Sequence, residues 1–144
     1  MPLIEVVTMD GKSFKSTDAK GDVMVINLWA TWCSFCRTEM PELETYYQRP
    51  RDQGLRVIAV SMDDASAETA ARDVMKAYSF TGGIGRLSNL KALGRIWRLP
   101  MTFVIDREGI LRRDGSEGDP EINLPMLEKQ VTPLLAHSRP ESAP

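Results

Sequence analysis

Apolar residues gather in three dense runs along this chain, and each predicts a strand buried on both faces. The first, Val23-Met24-Val25-Ile26-Asn27-Leu28, opens a strand over residues 23–30; the others span Leu55 to Met62 and Met101 to Asp106. Between the first two runs the period changes. Cys36, Met40, Leu43 and Tyr47 recur at helical spacing, and Pro41 inside that segment predicts a kink. Pro50 and Gly54 close the unit. A helix between two strands makes them parallel through a right-handed crossover.

The weaker patterns fill in the rest. Leu3 to Met9 alternates as a short strand, Asp10-Gly11 turns the chain, and Lys12 to Lys15 returns as a hairpin arm. Asp64 or Ser66 caps a second helix, whose stripe is Ala67, Ala70, Ala71, Val74, Met75 and Tyr78. Gly82-Gly83-Ile84-Gly85 reads as a flexible connector, without the register or helix cap of a phosphate loop. Asn89 to Trp97 is expected as a short helix, broken by Leu99-Pro100. Asp106-Arg107-Glu108-Gly109 forms a turn, after which Ile110 to Arg113 pairs back antiparallel. A loop over 114–120 leads to a final helix carrying Leu124, Leu127, Val131, Leu134 and Leu135, bent or shortened by Pro133. The expected fold is a mixed α/β sheet with helices on both faces and an N-terminal β-hairpin extension. One domain spans residues 1–137, and 138–144 reads as a disordered tail.

Length and charge narrow the function classes. With 144 residues the chain has room for one substantial core, and a net charge of −2 points away from nucleic acid and anionic membranes. No apolar stretch is long enough to cross a bilayer. Met1-Pro2-Leu3-Ile4-Glu5 has neither the basic nor the apolar region of an export signal. That leaves a cytoplasmic protein, or an exported one whose signal is absent from this sequence.

Cys33 and Cys36 are the only cysteines. They fall where a strand end meets a helix start, and the unpaired N–H groups and dipole there favour a negative charge. A Cys33 thiolate is therefore expected to be stabilised, with its pKa below that of a free thiol. Three blander readings compete. A ring closed over so few residues restrains the unfolded chain by only roughly 2 kcal/mol, a poor staple. Structural zinc wants four ligands, and only His137 could join the two thiols. Two inert buried thiols are out of place at a polar-flanked turn. Redox activity is the better reading.

The motifs Trp29-Ala30-Thr31-Trp32-Cys33-x-x-Cys36, Arg37-x-Glu39-Met40-Pro41-x-Leu43 and Pro100-x-Thr102-Phe103-x-Ile105-Asp106 carry a family resemblance. Across residues 20–136 the chain resembles the thioredoxin fold, and within it the TlpA/ResA-like branch of thiol–disulfide oxidoreductases. The resemblance implies Cys33 as the nucleophile, Cys36 as the resolving thiol, and Glu39 as a proton relay, against the plainer reading of a first-turn Glu on the helix dipole. Pro100 matches a cis-proline opposite the cysteines, leaving the backbone of Leu99 to pair with a substrate strand. Trp32 and Phe35 flank the cysteines as an apolar lip for substrate. Asn27 stands where thioredoxins proper often carry a buried aspartate, and Asn cannot titrate. Trp29 reads as core.

Three departures from the pattern leave the potential and partner choice open: Phe35 before the second cysteine, Arg98 before the proline, and Met101 after it. Together with Trp97 they shape the groove rim or are neutral there. Asp63-Asp64 reads as a helix cap rather than a metal site, Arg112-Arg113 as solvated surface, His137 as a tail residue, and the methionines as core filler.

The expected activity is a monomeric thiol–disulfide oxidoreductase, working as a reductant on cysteine-containing proteins and recharged by an upstream thiol donor. No cofactor or metal is called for beyond the Cys33–Cys36 pair. By resemblance the compartment is the periplasm or cell envelope and the setting cytochrome c maturation. Two rivals share the fold: a peroxiredoxin-like peroxidase, which wants a P-x-x-x-T-x-x-C cysteine that is missing, and a Sco-like copper-delivery protein, which wants C-x-x-x-C and a distant histidine. A redox-inert interaction domain is the third.

Overall fold

The computed structural model describes residues 2–49 and 54–136. The expectations placed on Pro50, on His137 and on the tail from Ser138 lie outside the described residues.

The strands are β1 (Glu5–Thr8), β2 (Ser13–Lys15), β3 (Val23–Trp29), β4 (Leu55–Ser61), β5 (Thr81–Asn89), β6 (Met101–Ile105) and β7 (Leu111–Arg113). They form a single sheet in the order β2-β1-β5-β4-β3-β6-β7. The three dense apolar runs are its centre: β3 pairs parallel with β4 and antiparallel with β6. Every residue of β3 and β6 is buried, as continuous hydrophobic strands require. The β1–β2 hairpin attaches to the far side of the sheet through an antiparallel β1–β5 ladder.

The sequence misses β5. Its glycines remove side chains that would otherwise collide with the neighbouring layers. A Cβ built on Gly82 would come 2.7 Å from Met9 Sδ, one on Gly83 2.5 Å from Val6 Cγ1, and one on Gly85 2.6 Å from the Ser61 carbonyl oxygen. The flexible connector is therefore a strand, pairing parallel with β4. The expected helix over Asn89 to Trp97 is also corrected. Asn89 ends β5, only Lys91–Leu93 makes a 3-10 turn, and Gly94 at φ +86° leads out of it.

Alternation along the central strands makes two cores. Val23, Val25, Trp29, Val57, Ala59 and Val104 pack with the buried faces of α1 (Ser34–Gln48), α2 (Glu68–Met75) and α3 (Leu124–Gln130). On the other face Met24, Ile26, Leu28, Ile58, Val60, Met101 and Phe103 pack with Ala19, Leu90 and Leu93. Helices thus flank both faces unequally: the second is covered by the short 3-10 turns Ser16–Ala19 and Lys91–Leu93. Each fully buried large side chain in these layers is worth about 1.5–3 kcal/mol against exposure.

α1 runs unbroken through Pro41, which is exposed, and ends on Tyr46 rather than Tyr47 as its deepest aromatic. Tyr46 is 1% exposed and its hydroxyl meets Thr132 Oγ1 at 2.7 Å. Pro133 does shorten the last helix: α3 stops at Gln130, and α4 (Thr132–Leu135) follows beyond Val131. Arg107 is buried, its guanidinium donating to the carbonyls of Gly21 (3.1 Å) and Leu135 (3.0 Å), which fastens this end of the chain to the start of β3.

Candidate functional site

β3 delivers the chain to the C-terminal edge of the sheet, where Cys33 becomes the N-cap of α1. Its sulfur accepts the N–H of Cys36 at 3.2 Å. The two cysteines form a disulfide with their Cα atoms 5.3 Å apart. Both are nearly buried, Cys33 at 6% and Cys36 at 1% exposure, so Cys33 is the more accessible of the two.

Register brings the second motif to the same place. Leu28 pairs with Met101 across the antiparallel β3–β6 ladder, so Leu99-Pro100 sits at the sheet end that carries the cysteines. The Leu99–Pro100 peptide bond is cis. Around this end lie three of the large apolar side chains left in solvent: Trp32 (72% exposed), Phe35 (73%) and Trp97 (54%). The guanidinium of Arg98 lies 4.9 Å from the Trp97 ring centroid. The same side chain donates through Nη2 to the carbonyls of Gly115 (3.1 Å) and Glu117 (3.0 Å). Arg98 thereby ties the segment before Pro100 to the 114–120 loop, which packs on β6 so closely that a Cβ on Gly115 would come 2.6 Å from the Thr102 nitrogen.

Glu39 lies one turn beyond Cys36 and faces the segment that leads into α3. Its Oε2 accepts the Ile122 N–H at 2.8 Å, while Oε1 is buried without a partner. Burial raises its pKa above the usual glutamate value; the Ile122 N–H opposes this, and the carboxylates of Glu121, Glu42 and Asp119 reinforce it. Arg113 corrects the reading of Arg112-Arg113 as solvated surface. It is half-buried, donates to the Asp119 carbonyl at 2.7 Å, and has Glu39 and Arg98 as charged neighbours. Burial first, then Arg98, lowers its pKa from the ordinary arginine value. Arg112 is exposed and pairs with Asp106 at 2.6 Å.

Asn27 is buried in β3 and donates to Thr102 Oγ1 of β6 at 3.0 Å. Trp29 is fully buried, as core. Met101 is likewise fully buried, so of the three departures Phe35 and Arg98 reach the rim and Met101 does not.

The reading of Asp63-Asp64 splits. Asp64 caps the 3-10 turn Ala65–Ala67 that precedes α2, accepting from the Ser66 N–H at 3.1 Å, while α2 itself starts after Ala67 without a side-chain cap. Asp63 does something the sequence does not announce. It is 5% exposed, and its carboxylate takes the Thr31 N–H (3.0 Å), the Thr31 hydroxyl (2.7 Å) and the Ser61 hydroxyl (2.7 Å). Two residues before Cys33, the loop is thus moored to the end of β4. An acid directly after a buried strand was the one available signal. Among the described residues, no group of three or more His, Cys, Asp or Glu side chains is arranged to hold a metal ion.

A parallel βαβ core, an antiparallel β6–β7 hairpin and a C-x-x-C at the head of α1 define the thioredoxin-like fold. The chain belongs to the AhpC/TSA family, whose pattern matches residues 1–114. It is 30% identical over 110 residues to the thiol-disulfide oxidoreductase ResA of Bacillus cereus, covering 75% of this chain and 62% of that protein. It is 31% identical over 115 residues to the thioredoxin-like protein YneN of Bacillus subtilis, covering 77% and 66%. The chain thus spans less than two thirds of the length of either relative. Among solved structures, a candidate thiol:disulfide interchange protein DsbE from Chlorobium tepidum superposes with a TM-score of 0.74 at 24% identity, over 94% of each chain.

Proposed function

We propose that this chain is a thiol–disulfide oxidoreductase that exchanges its Cys33–Cys36 pair with cysteines of partner proteins, working as a reductant. The observation that carries the reading is the disulfide itself, capping α1 beside the cis Leu99–Pro100 bond and ringed by Trp32, Phe35 and Trp97. Once a donor dithiol has reduced the pair, the Cys33 thiolate attacks one sulfur of a partner disulfide. A mixed disulfide forms and the partner's other sulfur leaves as a thiolate. Cys36 then loses its proton and attacks Cys33 Sγ, releasing the second partner sulfur and restoring the Cys33–Cys36 bond. Two electrons pass to the partner.

The helix N-terminus and the Cys36 N–H favour charge on the Cys33 sulfur. Glu39, a carboxyl whose proton is held more tightly than usual, is the group on this face of α1 suited to take the Cys36 proton. The backbone of Leu99, half-buried in the bend just before β6, is the group beside the cysteines for a partner strand to pair with. Action in the periplasm or cell envelope, as a monomer, belongs to the same reading and rests on the family resemblance of the motifs. No helix among the described residues is long and apolar enough to cross a membrane.

The test is the reduction potential of the pair, read from tryptophan fluorescence in defined dithiol buffers, with insulin reduction as the activity assay. A potential near about −270 mV, and insulin reduction lost in Cys33→Ser, support the reductant. A potential near about −120 mV makes it an oxidant and overturns the direction. Stoichiometric Cu(I) binding or rapid peroxide consumption would replace the reading altogether.

A further inference from the structure

Beside the disulfide, on the side away from Pro100, a groove of about 630 Å³ runs between the head of α1 and the tail of α2. Trp32 and Ser34, the neighbours of Cys33, form its near end; Val74, Ala77 and Tyr78 form its far wall, and Arg37 stands between them. It therefore begins at the two residues that flank Cys33 in the chain. Its nearby carboxylates are engaged with other groups. Asp73 on the rim is paired with Lys76 at 3.0 Å, and Glu44, further along, is bonded to the Ser79 N–H and hydroxyl and to Gln48. Arg37 is exposed, lines the groove and makes no ion pair among the described residues.

Resting on the exchange reaction proposed above, we propose that this groove receives the partner polypeptide next to its reactive cysteine, with an apolar side chain against Trp32, Val74 and Tyr78 and an acidic side chain opposite Arg37. The preferred substrates are then protein disulfides whose cysteines have acidic and apolar neighbours. An aromatic wall supplies area at little entropy cost, and an unpaired guanidinium supplies the sign. Leu99 pairs with the partner backbone on one side of the sulfur, and the groove reads side chains on the other.

Two series of synthetic peptides test this. Each peptide carries one cysteine as a mixed disulfide with mercaptoethanol. One series exchanges Glu for Lys, and the other Leu for Ser, at each of the three positions on either side of the cysteine. The readout is the ratio of kcat/KM within each pair, so that any general effect on the Cys33 thiolate cancels. At low ionic strength the Glu peptide is expected to be preferred by about 2- to 5-fold at one or more positions, the range of an exposed charge pair. Arg37→Glu inverts that preference, and high salt abolishes it. The Leu preference falls toward unity in Val74→Asp. Equal rates within both pairs, or preferences that persist unchanged in the two variants, overturn the groove while leaving the exchange reaction standing. Failure of the unaltered protein to reduce any of the peptides overturns the exchange reaction and the groove together.

Discussion

Glu39 accepts the backbone N–H of Ile122 at 2.8 Å, joining the helix that carries both cysteines to a segment 83 residues further along the chain. Glu42, almost one turn on, does the same for Leu124 at 3.0 Å. Two carboxylates of α1 thus hold the start of α3, and the one nearer the disulfide keeps its second oxygen buried without a partner. A group serving only as a clamp gains nothing from that second oxygen. A group that takes up and releases a proton needs it.

The consequence is a pH dependence with a definite sign. Burial raises the Glu39 pKa in the folded chain above its unfolded value. Its contribution to stability is fully present below the unfolded value and is lost as pH rises through the folded one. Glu39→Gln retains an acceptor for the Ile122 N–H but cannot ionise. Urea melts of the two proteins are expected to converge in acid and to separate above the folded pKa, with the variant gaining. The pH profile of peptide-disulfide reduction should lose one ionisation in the variant. Parallel stability curves and an unchanged rate profile would count against the proton-holding role.

In β3, Asn27 occupies the buried position opposite Thr102 and spends its amide on that hydroxyl. Thr102→Val strands a buried donor and is expected to cost about 1–3 kcal/mol in chemical denaturation. Adding Asn27→Leu removes the stranded group, so the double variant should recover most of the loss. If the double variant is as unstable as the sum of the singles, the pair is not coupled as the geometry requires.

The sheet's centre was legible because β3, β4 and β6 are buried on both faces and read as solid apolar runs. The disulfide was legible because C-x-x-C sits at a strand-to-helix junction, and Pro100 because its motif is distinctive. Glycine hid β5: a residue that weakens a strand by itself was retained where Val6, Met9 and the Ser61 carbonyl leave no room for a Cβ. Asn89 to Trp97 looked helical through spacing that serves the second core, where Leu90 and Leu93 are buried without forming an α-helix. Long-range hydrogen bonds were the other blind spot. Nothing near Glu39 in sequence points to Ile122, and nothing near Asp63 points to Thr31.

Gly83→Ala tests the account of β5 directly. The new Cβ would lie 2.5 Å from Val6 Cγ1 and 3.3 Å from Val60 Cγ2, both inside the second core. Overpacking of this kind costs typically about 1–3 kcal/mol, and here it would push the β1–β2 hairpin away from β5. The expected result is a lowered denaturation midpoint with faster amide exchange at Val7 and Met9, whose N–H groups donate to Ser88 Oγ and the Gly82 carbonyl of β5. Gly11→Ala is the contrast: no atom lies within 4 Å of its Cβ, so its cost comes from φ +85° alone and leaves the β1–β5 ladder protected. Equal exchange behaviour in the two variants would remove packing as the reason for the glycine.

Asp63 is the remaining test, because it separates holding the fold from holding the site. Its carboxylate collects the Thr31 N–H, the Thr31 hydroxyl and the Ser61 hydroxyl in a buried position, where charge-assisted bonds are strongest. Asp63→Ala leaves those donors unpaired and is expected to destabilise the protein by about 1–3 kcal/mol. Its more telling effect is local. With Thr31 unmoored, the Thr31–Cys33 loop no longer starts from the end of β4, so the Thr31 amide should exchange faster than global unfolding allows. Cys33 in the reduced protein should then be alkylated at an altered rate while Cys36 stays protected. Asp63→Asn keeps one acceptor oxygen and should restore part of the Thr31 protection. If the Thr31 amide in Asp63→Ala exchanges only through global unfolding, Asp63 holds β4 and not the cysteine loop.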